Sequence, residues 1–101
     1  MPAQGKSVMI PRPDQELTEL ALQKLRRTAL DRNYVVSADG NRIGARDAAS
    51  LLDIHVDTLR HWRGRGNGPA FYRAPVGGCR FSYSFLDLAT YQEGSRRYES
   101  P

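Results

Sequence analysis

Four residues that can hydrogen-bond a flat polar partner lie close together near the middle of the chain: Asp57, Thr58, Arg60 and His61. Arginine presents several donors in a fixed fork, threonine and histidine can donate or accept, and an ionised aspartate only accepts. If the segment is a helix with Leu59 facing inward, these side chains point sideways or outward, because successive residues turn by roughly 100°. This pattern is typical of a surface that reads donors and acceptors, such as the base edges in the major groove of DNA.

Arginines surround these four residues, and no acidic residue lies between Asp57 and Asp87. A stretch of the chain whose charged residues are all positive attracts a polyanion with salt-sensitive affinity, although it can also be only a solvated basic surface. We expect five arginines to hold phosphates, or to enter the minor groove from a wing, and so to determine register rather than sequence preference. These five are Arg46, Arg63, Arg65, Arg73 and Arg80.

Two short helices must position these residues. Residues 45–62 contain two apolar-periodic runs on either side of a four-residue break, residues 53–56. Ala49 supplies a small side chain where two crossing helices would approach most closely. His55 precedes the second helix at a position where serine, threonine, aspartate or asparagine is the usual cap. The spacing predicts a helix-turn-helix whose second helix, residues 56–64, projects from the domain.

A β wing is predicted directly after the second helix. The glycine-rich run 63–69 cannot continue a helix. Residues 70–73 and 79–83 are aromatic-rich and flank a Gly77-Gly78 pair, a combination favoured in tight turns. We therefore expect two short strands joined by a turn, a wing that spans residues 70–83.

The last helix is predicted from Phe85 to Glu93. Ser84 with Asp87 three residues later forms a start that resembles a capping box, and Gly94 is expected to end the helix. The domain organisation is then a flexible arm (1–12), an N-terminal amphipathic helix (13–33), a winged helix-turn-helix domain (34–93) and a frayed tail (94–101). Within the domain, Asp39-Gly40 predicts a small hairpin or an extended linker before the helix pair.

The N-terminal helix has two alternative uses. Its apolar residues form a stripe that is wider than one small domain needs: Leu17, Ala21, Leu25 and Ala29, extended by Leu20, Leu22 and Leu30. Such a helix packs on its own domain, or it pairs with a second copy and gives a homodimer of the kind that reads two DNA half-sites.

Taken together, residues 42–93 resemble the winged helix-turn-helix of the MerR-like superfamily, and most of all the excisionase-like small DNA-binding proteins. Asp53 stands where glycine is usual at the turn, which is tolerable because aspartate can adopt a left-handed backbone. The resemblance implies a mainly α fold with a small β wing, here preceded by an extra N-terminal helix, and sequence-specific binding of double-stranded DNA. The residues that carry it are Ala48-Ala49, Leu52-Asp53-Ile54, Thr58-Leu59, His61-Trp62-Arg63, Gly66-Asn67-Gly68-Pro69, Arg73, Gly77-Gly78, Arg80-Phe81-Ser82-Tyr83 and Asp87-Leu88.

Several uses of such a binder remain open. Transcription regulation is the first expectation, and a recombination directionality factor (excisionase) or a phage terminase small subunit is the alternative. A protein adaptor that works through the N-terminal helix is a rival of another class, because fold does not dictate function. The chain has no sequence signature of an effector pocket, so we expect no small-molecule effector.

Enzymatic and membrane functions are not expected. His55 and His61 are the only histidines and Cys79 is the only cysteine, and no carboxylate pair, metal-ligand cluster or phosphate loop appears. We therefore expect no enzyme activity, no cofactor and no metal. The single cysteine excludes an internal disulfide, and no apolar run approaches the roughly 20 residues of a membrane span. The sequence thus predicts a cytoplasmic, nucleoid-associated protein without membrane contact.

Overall fold

Four helices and one two-stranded sheet make up the part of the chain that this computed structural model describes, residues 13–99. In chain order they are α1 (Pro13–Asp31), β1 (Arg42–Gly44), α2 (Ala45–Leu51), α3 (Val56–Arg65), β2 (Ser82–Ser84) and α4 (Phe85–Glu99). The strands pair antiparallel with Ile43 opposite Tyr83, and both of these side chains are fully buried. The architecture is mixed α/β. The predicted arm, residues 1–12, lies outside the described residues.

Helix α1 lies along α4 and also contacts α2. Three residues at i, i+4 spacing on its inner face are buried in the core: Ala21, Leu25 and Ala29. Three leucines of the predicted apolar stripe stay exposed: Leu17, Leu20 and Leu30. The inner face of α1 therefore serves the domain's own core. Pairing with a second copy through the outer leucines stays a prediction.

Helices α2 and α3 are joined by the four residues 52–55, one position earlier than the predicted break. Ala49 is buried in the core that the two helices share. Asp53 has φ 59°, which is the left-handed conformation expected for the residue that replaces glycine at this turn. His55 does cap α3, because its Nδ1 accepts a hydrogen bond of 3.1 Å from the amide of Asp57. Two short helices with an abrupt turn are thus confirmed.

The predicted wing is a hairpin, but the prediction that it consists of two regular strands was wrong. Tyr72 and Ser82 exchange two backbone hydrogen bonds of 2.8 and 2.9 Å, and Val76 and Cys79 close the turn, yet these contacts are isolated bridges. Residues 82–84 instead form their ladder with β1, forty residues earlier in the chain. Hydrophobic alternation marks a residue as strand-forming, but it does not name the partner strand, which depends on the edges that meet in the folded chain.

The turn of the hairpin folds back onto the domain. Val76 is buried, and a Cβ atom added to Gly44 would lie only 2.5 Å from the carbonyl oxygen of Val76. A Cβ atom at Gly77 would lie 3.4 Å from Cβ of Val35. The turn therefore packs against the start of α2 and the segment before β1, and it does not project as a free tip.

Helix α4 begins as predicted and ends later. The hydroxyl of Ser84 accepts a hydrogen bond of 2.9 Å from the amide of Asp87, which caps the first turn. The helix then passes through Gly94 and ends at Glu99, so the prediction that Gly94 stops it was wrong. Glycine inside a helix costs about 1 kcal/mol without breaking it. Packing of α4 along α1 offsets that cost.

Candidate nucleic-acid interface

The outer face of α3 carries the four residues that the sequence singled out. Leu59 is fully buried, so it sets the inward direction of the helix as predicted. The side chains of Arg60 and Asp57 are 64% and 58% exposed, His61 is exposed, and Thr58 is half-buried. The helical phase read from the sequence is therefore confirmed. The donors and acceptors of α3 face away from the core.

Asp57 orients Arg60. Nη2 of Arg60 lies 3.2 Å from Oδ1 of Asp57, one turn earlier on the same helix. Nδ1 of His55 accepts a hydrogen bond from the backbone amide of Asp57, so this nitrogen does not also donate to the carboxylate of Asp57. The carboxylate of Asp57 is thus engaged with the side chain of Arg60 on the same helix. The remaining N–H groups of Arg60 are left for an outside acceptor.

Arg63 lies where the sequence did not predict. Its guanidinium stacks 4.4 Å from the ring centroid of Phe81 and 6.0 Å from that of Phe71. Nη1 also donates a hydrogen bond of 3.0 Å to the hydroxyl of Tyr83. Burial raises the pKa of Tyr83, and the hydrogen bond from Arg63 partly counteracts that rise. Arg63 therefore ties the end of α3 to the wing, instead of standing free to hold a phosphate as predicted.

Trp62 packs α3 against α4 and against the glycine-rich loop that follows α3. Its ring centroid lies 5.5 Å from that of Tyr91 on α4, and it packs against the core. Gly68, at φ 81°, passes so close that an added Cβ would lie 2.7 Å from Cε3 of Trp62. The indole is therefore a packing residue here rather than an exposed platform for a base.

Four other arginines of the predicted backbone set are exposed: Arg46, Arg65, Arg73 and Arg80. Within residues 13–99, none of the four makes an ion pair or a side-chain hydrogen bond. Arg46 lines an open depression of about 470 Å³ that runs from α2 across the turn to His55 and Val56 at the start of α3. The four free cations thus lie on α2, at the end of α3 and along the wing.

Two arginines outside the predicted set have structural roles. Arg42 donates a hydrogen bond of 2.9 Å to the buried hydroxyl of Ser82 and lies over the ring of Tyr72, so it braces β1 against the wing. Arg26 stacks on Phe85 and donates to the side-chain oxygen of Asn41. No spacing in the sequence signals these contacts, because the partners lie 15 to 59 residues apart.

Among the side chains of residues 16–94, no group of three or more His, Cys, Asp or Glu is placed to hold a metal ion. Of the helices that the structure describes, none combines the length and apolar character needed to cross a bilayer.

Comparison with known proteins gives no relative. No protein-family model, curated protein or solved structure matches this chain. The winged helix-turn-helix therefore stays a resemblance that residues 42–93 carry.

Proposed function

We propose that this chain is a sequence-specific double-stranded DNA-binding protein with a MerR-like winged helix-turn-helix, and that α3 enters the major groove. One observation carries the proposal: Arg60 and His61 stand exposed on a helix anchored by the fully buried Leu59. Free arginines on α2, at the end of α3 and on the wing supply positive charge for the backbone of the same duplex. The proposal assigns no catalytic step, cofactor or metal to the chain.

The dimensions suit this mode of binding. A helix of the length of α3, 10 residues, extends about 15 Å, and the major groove is about 12 Å wide. Arg60 is the best reader of a guanine, because its fork can reach O6 and N7 together. Thr58 and His61 supply the neighbouring contacts. Asp57 keeps the Arg60 fork in place before binding, which lowers the entropy that the contact must overcome.

The remaining free arginines position the duplex. Arg46, on α2, lines the depression that reaches the start of α3, and Arg65 is the last residue of α3. Arg73 and Arg80 flank the folded-back turn of the hairpin. Because that turn is packed against Gly44, contact with the DNA backbone suits the wing better than insertion into the minor groove.

Salt-dependent binding tests the proposal against the adaptor alternative. We expect retention on duplex DNA to fall steeply between low and moderate salt, because each neutralised phosphate releases counterions. A selection of bound sites from random DNA should also yield a common sequence. Absence of retention at low salt, or a selection without any consensus, would contradict sequence-specific binding.

Replacing Arg60 with alanine should relax sequence preference at one base position and weaken cognate binding by about 1–3 kcal/mol. The reason is loss of the bidentate contact, while the buried Leu59 keeps α3 in place. Selection from random DNA with the variant measures the effect. A binding-site profile identical to that of the wild type would remove Arg60 from the readers.

Replacing Arg80 with alanine should instead weaken binding to all sequences alike and flatten the salt slope by about one unit. Arg80 is exposed and makes no intramolecular ion pair within residues 13–99, so its loss should leave the wing folded. Titrations at several salt concentrations on cognate and random DNA measure the change. A defect confined to the cognate site would show that the wing reads bases.

The biological use and the oligomeric state follow from the selected sites. We propose transcription regulation, with an excision factor or a terminase small subunit as the alternatives. Palindromic sites would indicate a homodimer, for which the exposed Leu17 and Leu20 of α1 are available. Short tandem repeats would indicate an excision factor.

A further inference from the structure

Three polar side chains meet where α1 ends beside α2. Nη1 of Arg32 donates to the hydroxyl of Tyr34 at 2.9 Å and to that of Ser50 at 3.2 Å. The Tyr34 hydroxyl in turn donates to Oγ of Ser50 at 2.8 Å. Arg32 and Ser50 are exposed and Tyr34 is half-buried, so the cluster opens to solvent. We call these three residues the α1–α2 cluster.

The donor set of this cluster suits a phosphate. Its members are one arginine and two hydroxyls, the side chains that commonly contact DNA phosphates. Both hydrogen bonds from Arg32 use Nη1, so Nη2 and Nε keep donors without an acceptor among residues 13–99. The guanidinium also lies over the ring of Tyr34, 5.9 Å from its centroid, which restricts its orientation. Neither of the two salt bridges among the side chains of residues 16–94 involves Arg32.

The cluster also borders the surface assigned to DNA. Ser50 lines the open depression that holds Arg46 one turn earlier on α2 and reaches His55 at the start of α3. Arg46 and Ser50 thus face one depression that reaches from α2 across the turn to α3, and the carboxylate of Asp53 lines it as well. The cluster adds the end of α1 to this surface, which the helix-turn-helix pattern alone does not include.

We propose that the α1–α2 cluster binds one DNA backbone phosphate and extends the contact surface from the helix pair to α1. The inference rests on the proposed function. It assigns a role in DNA binding to the N-terminal helix, whose sequence lies outside the family resemblance. Arg32 supplies the charge, and the hydroxyls of Tyr34 and Ser50 hold its guanidinium and offer a further donor.

Salt titration with charge-matched variants tests this inference. Arg32→Gln should flatten the salt slope of binding by about one unit, because one phosphate contact is lost. Arg32→Lys keeps the charge and should keep most of the slope. The matched control is Lys24→Gln, which removes one exposed charge two turns earlier on α1 and should leave the slope unchanged. Ser50→Ala, neutral and on an exposed helical surface, should weaken binding without altering the slope.

Ethylation interference locates the contact. Ethylation of one particular phosphate should weaken DNA binding by the wild type but leave DNA binding by Arg32→Gln unchanged. Circular dichroism on both Arg32 variants checks that α1 stays helical. If Arg32→Gln binds with the wild-type slope and interference pattern, the cluster only braces α1 against α2 and the inference is overturned, while the proposed function stands. Failure of the wild type to bind DNA at low salt would instead overturn the proposed function.

Discussion

Replacing Leu59 with alanine should lower the free energy of unfolding by about 2–5 kcal/mol. The side chain is fully buried and belongs to the core that also contains Ala49, Tyr83 and Leu88. Its removal leaves a cavity between α3 and the rest of the domain, so the loss includes both transfer free energy and cavity formation. Urea denaturation measures the effect as a lower midpoint at an unchanged slope.

The matched control is Leu86→Ala on α4. Leu86 is also helical, but its side chain is 55% exposed. We expect a change within about 0.5 kcal/mol, since surface substitutions rarely exceed that. Equal losses for the two variants would mean that Leu59 does not anchor α3, and the orientation of the outer face of α3 would then have to be revised.

Replacing Gly44 with alanine should destabilise the domain by about 1–3 kcal/mol, as overpacking usually does. The new Cβ would lie 2.5 Å from the carbonyl oxygen of Val76 and 3.1 Å from Sγ of Cys79. Gly44 has φ −69°, which any residue adopts, so the penalty comes from the close approach of the hairpin turn and not from backbone strain. Thermal or urea unfolding measures it.

Gly94→Ala is the control with the opposite expected sign. Gly94 lies inside α4, and an added Cβ would meet nothing within 4 Å. Alanine there should stabilise the protein by about 0.5–1 kcal/mol, because glycine loses more conformational freedom in a helix. If Gly44→Ala also stabilised the protein, the hairpin turn would not pack against the start of α2.

The features that sequence reasoning predicted well are local. Asp53 marks the turn because aspartate can adopt a left-handed backbone, and its φ is 59° in the structure. His55 stands at the cap position of α3, and its side chain accepts the cap hydrogen bond there. Ser84 likewise marks the start of α4, because its hydroxyl accepts a hydrogen bond from the amide of Asp87, three residues later. The phase of α3 follows from helical periodicity once Leu59 is taken as the inward residue.

The errors arose where distant parts of the chain meet. Gly94 weakens a helix, yet α4, which packs along α1, continues through it to Glu99. The sequence of residues 82–84 is compatible with several strand partners, and the close approach allowed by Gly44 lets the hairpin fold back over β1. The phosphate role predicted for Arg63 rests on its charge and its position in the chain, and neither indicates that its guanidinium stacks on the rings of Phe71 and Phe81.

Local sequence patterns are enough to predict four helices, the start of α4, the face of α3 that turns outward and the arginine-rich window that follows it. These properties depend on the periodicity and chemistry of neighbouring residues. Which arginines are free depends on the folded chain, because a guanidinium is engaged or released by residues far along the chain. Arg63 is held by Tyr83 of the wing, and Arg32 is brought to Ser50 of α2. The same charge therefore braces the fold at one position and is available to a partner at another.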